Sequence, residues 1–217
     1  MKELYSGPED ILNGLILRYP VLEAAREDIM AAFSLMVRCF EGGGKLLICG
    51  NGGSASDGLH IAGELMKSFT LPRSVDEETA RRLRQLFPED APLLSGGLAR
   101  ALPAVALVES AALNTAMQND VDSALVFAQQ VYGLGRPEDM LLCISTSGNS
   151  KNCLYAAETA KAMGLAVISL TGESGGRLKG VSDVTIAAPA RECYLVQELH
   201  LPVYHALCLM LEYHFFS

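Results

Sequence analysis

The chain has 217 residues and a mass of 23.2 kDa, enough for one domain with a substantial core. Half of the residues are hydrophobic and 19% are charged, which excludes disorder over the length. The formal net charge is −8, and the one basic cluster, Arg81-Arg82-Arg84, sits among acids, so no basic stripe for direct nucleic-acid binding is present. Apolar runs such as Leu46–Cys49 and Met140–Ile144 fall far short of the roughly 20 residues of a membrane span. The opening Met1-Lys2-Glu3-Leu4-Tyr5 lacks the pattern of a signal peptide, and the six cysteines contain no C-x-x-C pair, so a cytoplasmic protein with reduced thiols is expected.

From Asp10 to Phe40 the apolar residues recur at helical spacing, and Pro20 divides the stretch into two helices. Lys45–Cys49 reads as a short buried strand, Gly50-Asn51-Gly52-Gly53-Ser54 as a glycine-rich turn, and Ala55–Phe69 as a helix. Leu71–Ala101 breaks the rhythm with a charged amphipathic patch, two prolines and a Gly96-Gly97 pair; it reads as an insertion with one short helix, either a surface excursion or a lid or oligomer contact. Val105–Val108 is a strand, followed by a helix near Ser110–Met117. Met140–Ile144 is the next strand, Ser145–Ser150 a polar turn and Asn152–Met163 a helix. Ala166–Leu170 and Val184–Ala187 are the last strands, and Leu195–Phe215 is a closing helix. Strands alternating with helices at this spacing predict a parallel sheet covered on both faces, which binds ligands beyond the carboxyl ends of its strands.

Two turns at that edge carry chemistry. Gly50–Ser54 leads a strand into a helix, so its backbone N–H groups and the helix N-terminus face an anion. Gly50, Gly52 and Ala55 also satisfy a loose dinucleotide fingerprint, but the acid that should close the next strand arrives only at Glu109, far too late. Ser145-Thr146-Ser147-Gly148-Asn149-Ser150 offers four hydroxyls, an amide and a glycine at a second strand-to-helix junction, a set that surrounds a phosphate without any lysine. His60 and Glu64, at i and i+4, share one helix face. Gln197, His200 and His205 lie on the closing helix, and these imidazole, carboxylate and amide groups suit a divalent metal, zinc first. His214 is expected to be solvated.

Taken together, Gly50–Ser54, His60 and Glu64, Ser145–Ser150, Gln197-Glu198-Leu199-His200 and His205 closely resemble the sugar isomerase (SIS) domain, and within it the phosphoheptose isomerase branch. The resemblance runs from about Phe40 to the C-terminus outside the insertion, and includes Asn119-Asp120 and Leu170-Thr171-Gly172. It implies one α/β domain over residues 1–217. This would be a flavodoxin-like three-layer α-β-α sandwich on a five-stranded parallel sheet, with N-terminal helices over 1–40 and an insertion at 71–101.

The resemblance also implies a homotetramer with active sites between subunits and one zinc per subunit. The implied reaction converts sedoheptulose 7-phosphate to D-glycero-D-manno-heptose 7-phosphate, an early step of lipopolysaccharide heptose synthesis. Carried over by position, Ser145, Thr146, Ser147 and Ser150 hold the phosphate. Asn51, Gly52, Gly53, Ser54, Asn119, Asp120 and Gln197 contact the substrate. Glu64 is the base and His205 the acid, and His60, Glu64, Gln197 and His205 match the zinc ligands. Three positions depart from the family pattern: Ser68 replaces an arginine, Glu109 an aspartate and Tyr194 another aspartate. A non-catalytic SIS branch, which senses phosphosugars or binds a replication initiator as a tetramer, lacks the glutamate and last histidine that this chain has as Glu64 and His205.

Overall fold

The computed structural model describes residues 5–217. Helices α1 (Pro8–Arg18) and α2 (Arg26–Glu41) lead into strand β1 (Leu46–Gly50), and helix α3 (Gly53–Met66) follows it. The insertion forms α4 (Glu77–Leu86) and α5 (Ala91–Gly97), two short helices where the sequence reading expects one. Asp76 starts α4 because its carboxylate accepts from the Thr79 N–H, while α5 begins behind Pro92 at its first turn. Strand β2 (Ala104–Ala106), α6 (Ala111–Asp120), α7 (Val126–Leu134), β3 (Met140–Ile144) and α8 (Lys151–Ala162) come next. Strands β4 (Ala166–Gly172) and β5 (Val184–Ala188) and the long helix α9 (Cys193–Phe216) complete the chain.

The five strands form one all-parallel sheet in the order β2-β1-β3-β4-β5. Every residue of β1 and β3 is buried, as expected of strands covered on both faces. Alternation decides which face each side chain joins. Leu46 and Ile48 pack with Ile61 and Leu65 of α3, Val203 and Leu207 of α9, and the lead-in residues Leu12, Leu15 and Ile29. Leu47 and Cys49 pack on the other face with Phe127 and Val131 of α7 and Leu154 and Ala157 of α8. The lead-in helices therefore belong to this core: Ile11, Leu12 and Leu15 are at most 2% exposed.

Register places the two polar turns side by side. Cys49 pairs with Cys143 and Gly50 with Ile144, so Asn51 and Ser145 leave adjacent strands at the same height. The chain runs from β1 outward to β2 and then returns to β3 on the other side of β1. That reversal opens a crevice between the β1 and β3 loops, the general position for a ligand in an open parallel sheet.

The insertion is tied down at its start. Arg73 is 1% exposed and donates through Nε to Glu212 Oε1 at 2.8 Å and through Nη1 and Nη2 to the carbonyls of Leu65 and Glu64. Glu212, fully buried on α9, also accepts from the N–H groups of Phe69, Thr70 and Leu71 and from the Thr70 hydroxyl. The excursion thus begins in the core and only then becomes a surface segment. The cysteines are all free: Cys193 is exposed and the other five are buried.

Candidate active site

Helix α9 runs beneath both loops and meets the site at intervals. Near its start the Cys193 thiol lies 3.3 Å from the Thr146 hydroxyl. One turn on, Gln197 packs against Gly53 so closely that a Cβ there would stand 2.6 Å from its amide nitrogen, so the end of the Gln197 side chain would have to shift for any larger residue. Farther along, His205 Nε2 lies 3.4 Å from His60 Nε2, and His60 Nε2 lies 3.3 Å from Glu64 Oε1. The i, i+4 spacing read from the sequence does put His60 and Glu64 on one face of α3, and α9 brings His205 to them.

Three rings stack edge to face around this point. His60, His205 and Tyr204 have centroids 4.9, 5.0 and 5.4 Å apart in pairs, and Phe69 lies 5.9 Å from His205. Burial and the neighbouring His60 hold the His205 imidazole below its ordinary pKa. Glu64 also has Lys67 Nζ 3.5 Å from its second oxygen.

The second loop is shaped by its own hydrogen bonds. Ser145 and Ser150 place their hydroxyls 3.0 Å apart across it. Asn149 donates its amide to the Ser147 carbonyl at 2.8 Å, and its N–H bonds the Ser147 hydroxyl at 3.1 Å. Gly148 has φ +64, and a Cβ on it would lie 2.0 Å from the Gly175 carbonyl, so the Gly175-Gly176 turn presses the loop into place. A small recess of about 320 Å3, lined by Thr146, Ser147, Asn149, Glu173 and Arg191, opens beside it.

Asn51 and Asn152 join the two loops by a reciprocal amide pair, Nδ2 to Oδ1 at 2.9 and 2.8 Å. Asn152 goes unremarked in the sequence reading; an amide inside a helix gives no signal until the partner strand ends at its level. A cavity of about 540 Å3 opens above this pair, lined by Gly50, Asn51, Gly52, Gln118, Lys151 and Asn152.

Other expected residues fall as follows. Ser54 is buried at the start of α3, and Gly52 with φ +55 precedes it. Asn119 and Asp120 end α6, exposed, with Asn119 Nδ2 bonded to Asp120 Oδ1 at 2.7 Å. His200 is fully buried and turns to the Thr171 carbonyl at 3.1 Å, away from His60 and His205. His214 lies 3.3 Å from Glu41 at the far end of α9. Of the departures, the Ser68 hydroxyl accepts the Arg73 N–H, while Glu109 and Tyr194 are exposed.

Donor types and spacing bear on a metal. Ligands about 2.0–2.1 Å from a tetrahedral zinc stand about 3.3–3.4 Å from one another. The His60–Glu64 and His60–His205 separations of 3.3 and 3.4 Å match two edges of such a tetrahedron. Among the described residues no three His, Cys, Asp or Glu side chains are grouped to hold a metal ion.

Comparison with known proteins adds to this geometry. The SIS domain family profile matches residues 17–91 and 95–172. A phosphoheptose isomerase of Helicobacter pylori (strain P12) is 38% identical over 194 residues, covering 89% of this chain and 88% of that protein. One from Shewanella baltica (strain OS155) is 38% identical over 86% of this chain and 83% of its own length. Among solved structures, the phosphoheptose isomerase of Neisseria gonorrhoeae superposes with a TM-score of 0.70 at 32% identity, covering 89% of this chain and 91% of that one. That of Francisella tularensis gives 0.69 at 34% identity over 85% and 84%. With matching profile, relatives and topology, this chain belongs to the SIS domain family, in its phosphoheptose isomerase branch.

Proposed function

We propose that the protein is a phosphosugar aldose–ketose isomerase converting sedoheptulose 7-phosphate to D-glycero-D-manno-heptose 7-phosphate through an enediol. What supports this is the match to phosphoheptose isomerases, together with Glu64 lying 3.3 Å from His60, which in turn lies 3.4 Å from His205, on helices α3 and α9 whose first turns reach the two polar loops. Moving a hydrogen between adjacent carbons needs one group to take the carbon-bound proton and another to exchange protons with the oxygens. Glu64 is the base and His205 the acid. Ser145, Thr146, Ser147 and Ser150 grip the phosphate, so binding energy at the remote end positions the reacting end. Gly52, Gly53, Asn51 and Ser54 face the sugar from the first loop; Asn119, Asp120 and Gln197 complete the substrate set.

His60, Glu64, Gln197 and His205 are the residues that would hold a zinc ion, whose chemistry is to polarise the sugar carbonyl. Apolar side chains left exposed on the lead-in helix and insertion, among them Leu17, Leu86, Phe87 and Leu93, support a homotetramer with sites between subunits. A cytoplasmic place accords with the free cysteines and with the described helices, none of which is long and apolar enough to cross a membrane. Native mass spectrometry tests the assembly and the metal together. A tetramer with one zinc per chain is expected; a bare monomer would remove both.

The phosphate assignment is tested by kinetics. Ser147→Ala is expected to raise KM for sedoheptulose 7-phosphate about 10–150-fold with kcat little changed, since a hydrogen bond to a charged group is worth about 1.5–3 kcal/mol. Equal KM values in the parent and the variant would take Ser147 out of the phosphate site.

A further inference from the structure

The two ring nitrogens of His60 meet different surroundings. Nε2 faces the site, 3.3 Å from Glu64 Oε1 and 3.4 Å from His205 Nε2. Nδ1 lies 3.1 Å from the Tyr204 hydroxyl, and that hydroxyl lies 3.4 Å from Asp57 Oδ1. Asp57 stands three residues before His60 on α3, and Tyr204, 2% exposed, precedes His205 on α9. The chain Asp57–Tyr204–His60 therefore crosses the same helix pair that assembles the site.

Counting protons gives its direction. The phenol has one proton and two neighbours, and an ionised carboxylate can only accept. Among the described residues Asp57 Oδ2 is buried with no hydrogen-bond partner, and Oδ1 is the bonded oxygen. If Tyr204 turned its proton to His60, a half-buried carboxylate whose Oδ2 is enclosed would keep no side-chain hydrogen bond at either oxygen, a costly state for such a group. Turning the Nε2 lone pair to Glu64 gives up an N–H contact to Oε1 at 3.3 Å, but Glu64 keeps Lys67 at 3.5 Å from its second oxygen. The phenol thus donates to Asp57 and accepts from His60 Nδ1–H.

We infer that Asp57 and Tyr204 are positioning residues that hold His60 as its Nδ1–H tautomer, with the Nε2 lone pair turned into the site toward Glu64 and His205. That lone pair is what a divalent cation or a sugar hydroxyl proton requires of an imidazole, and an outer partner fixing the opposite nitrogen is the usual way to secure it. The inference rests on the reading of His60 as a site ligand, but its test needs no turnover. His200 supplies the reverse case on the same helix, with Nε2 bonded to the Thr171 carbonyl and Nδ1 buried without a partner.

The test is ¹⁵N NMR of the metal-free full chain labelled at histidine, at a pH above the imidazole titration, with His60 assigned through His60→Gln. His60 is expected to show a protonated Nδ1 and an unprotonated Nε2, and His200 the opposite pattern as internal reference. In Tyr204→Phe, and equally in Asp57→Ala, the His60 proton moves toward Nε2 while His200 stays unchanged. Zinc affinity, read by competition with a chelator, falls about 10–100-fold in each variant. A parent chain with its His60 proton on Nε2, or a His60 pattern unmoved in the variants, overturns the inference. Loss of the His200 pattern in Tyr204→Phe would report a damaged fold, and Asp57→Ala then decides. The expected tautomer in a chain that neither binds zinc nor turns over sugar would sink the proposed function and leave this inference standing.

Discussion

Glu64→Gln is expected to lower kcat about 10²–10⁴-fold while leaving binding of the phosphorylated sugar near its parent value. The amide keeps the size of the carboxylate and its reach to His60, now 3.3 Å from Oε1, but it cannot take a proton from carbon. The phosphate loop is built on β3 and α8 and shares no hydrogen bond with Glu64, so the grip on the far end of the sugar survives. Because Glu64 is also a proposed zinc ligand, the measurement pairs single-turnover rates with metal content. A rate loss at full zinc occupancy assigns Glu64 the proton transfer. A loss that merely follows missing zinc would make it a ligand alone, and an undiminished rate would remove it from the mechanism.

The second large effect is on stability. Glu212 and Arg73 are a buried ion pair at 2.8 Å whose side chains are both fully enclosed. Breaking such a pair from one side typically costs about 3–5 kcal/mol, because the remaining charge is stranded. Glu212→Ala is expected to reach that range. It strands the guanidinium and also leaves the N–H groups of Phe69, Thr70 and Leu71 without their acceptor. Arg73→Met should cost less, since Glu212 keeps those donors and the Thr70 hydroxyl. Chemical denaturation ranks the two; equal and small losses would show that the pair contributes little.

The pH dependence has a definite sign. Burial alone would push the Glu212 carboxyl up, but the Thr70 hydroxyl and the three backbone donors outweigh it and hold it below the ordinary 4.5. A depressed folded-state pKa means the stability is complete above 4.5 and is lost as pH falls below it. Glu212→Ala should therefore flatten the acid limb of the stability curve. Since Arg73 also holds the Glu64 carbonyl at 3.2 Å, the same network fixes the end of α3 that carries the proposed base.

How much of this was legible in the sequence differs by scale. The strand-turn-helix phrases at Leu46–Ser54 and Met140–Ser150 were legible because each is local, an apolar run followed by turn residues and a helical stripe. His60 with Glu64 was legible for the same reason, as a spacing within one helix. Helix α7 escaped notice, though Val126, Phe127 and Val131 mark an apolar face; the segment is short and lies between irregular stretches. Arg73 read only as part of an insertion, either a surface excursion or a lid or oligomer contact, because charge in sequence says nothing of a carboxylate 139 residues away. Asn152, Asp57 and Tyr204 are of the same kind. Each acquires its role from a partner that only the packing of α3, α8 and α9 supplies.

The central claim is that this chain moves a proton between adjacent sugar carbons, and proton NMR of sedoheptulose 7-phosphate in D₂O reads that directly. With zinc-loaded protein, deuterium should enter the carbon next to the carbonyl and an aldose signal should grow in, both at rates that collapse in Glu64→Gln. No exchange and no aldose, from folded protein with its metal shown to be bound, would contradict the isomerase account and direct attention to Ser68, Glu109 and Tyr194 as marks of a different ligand.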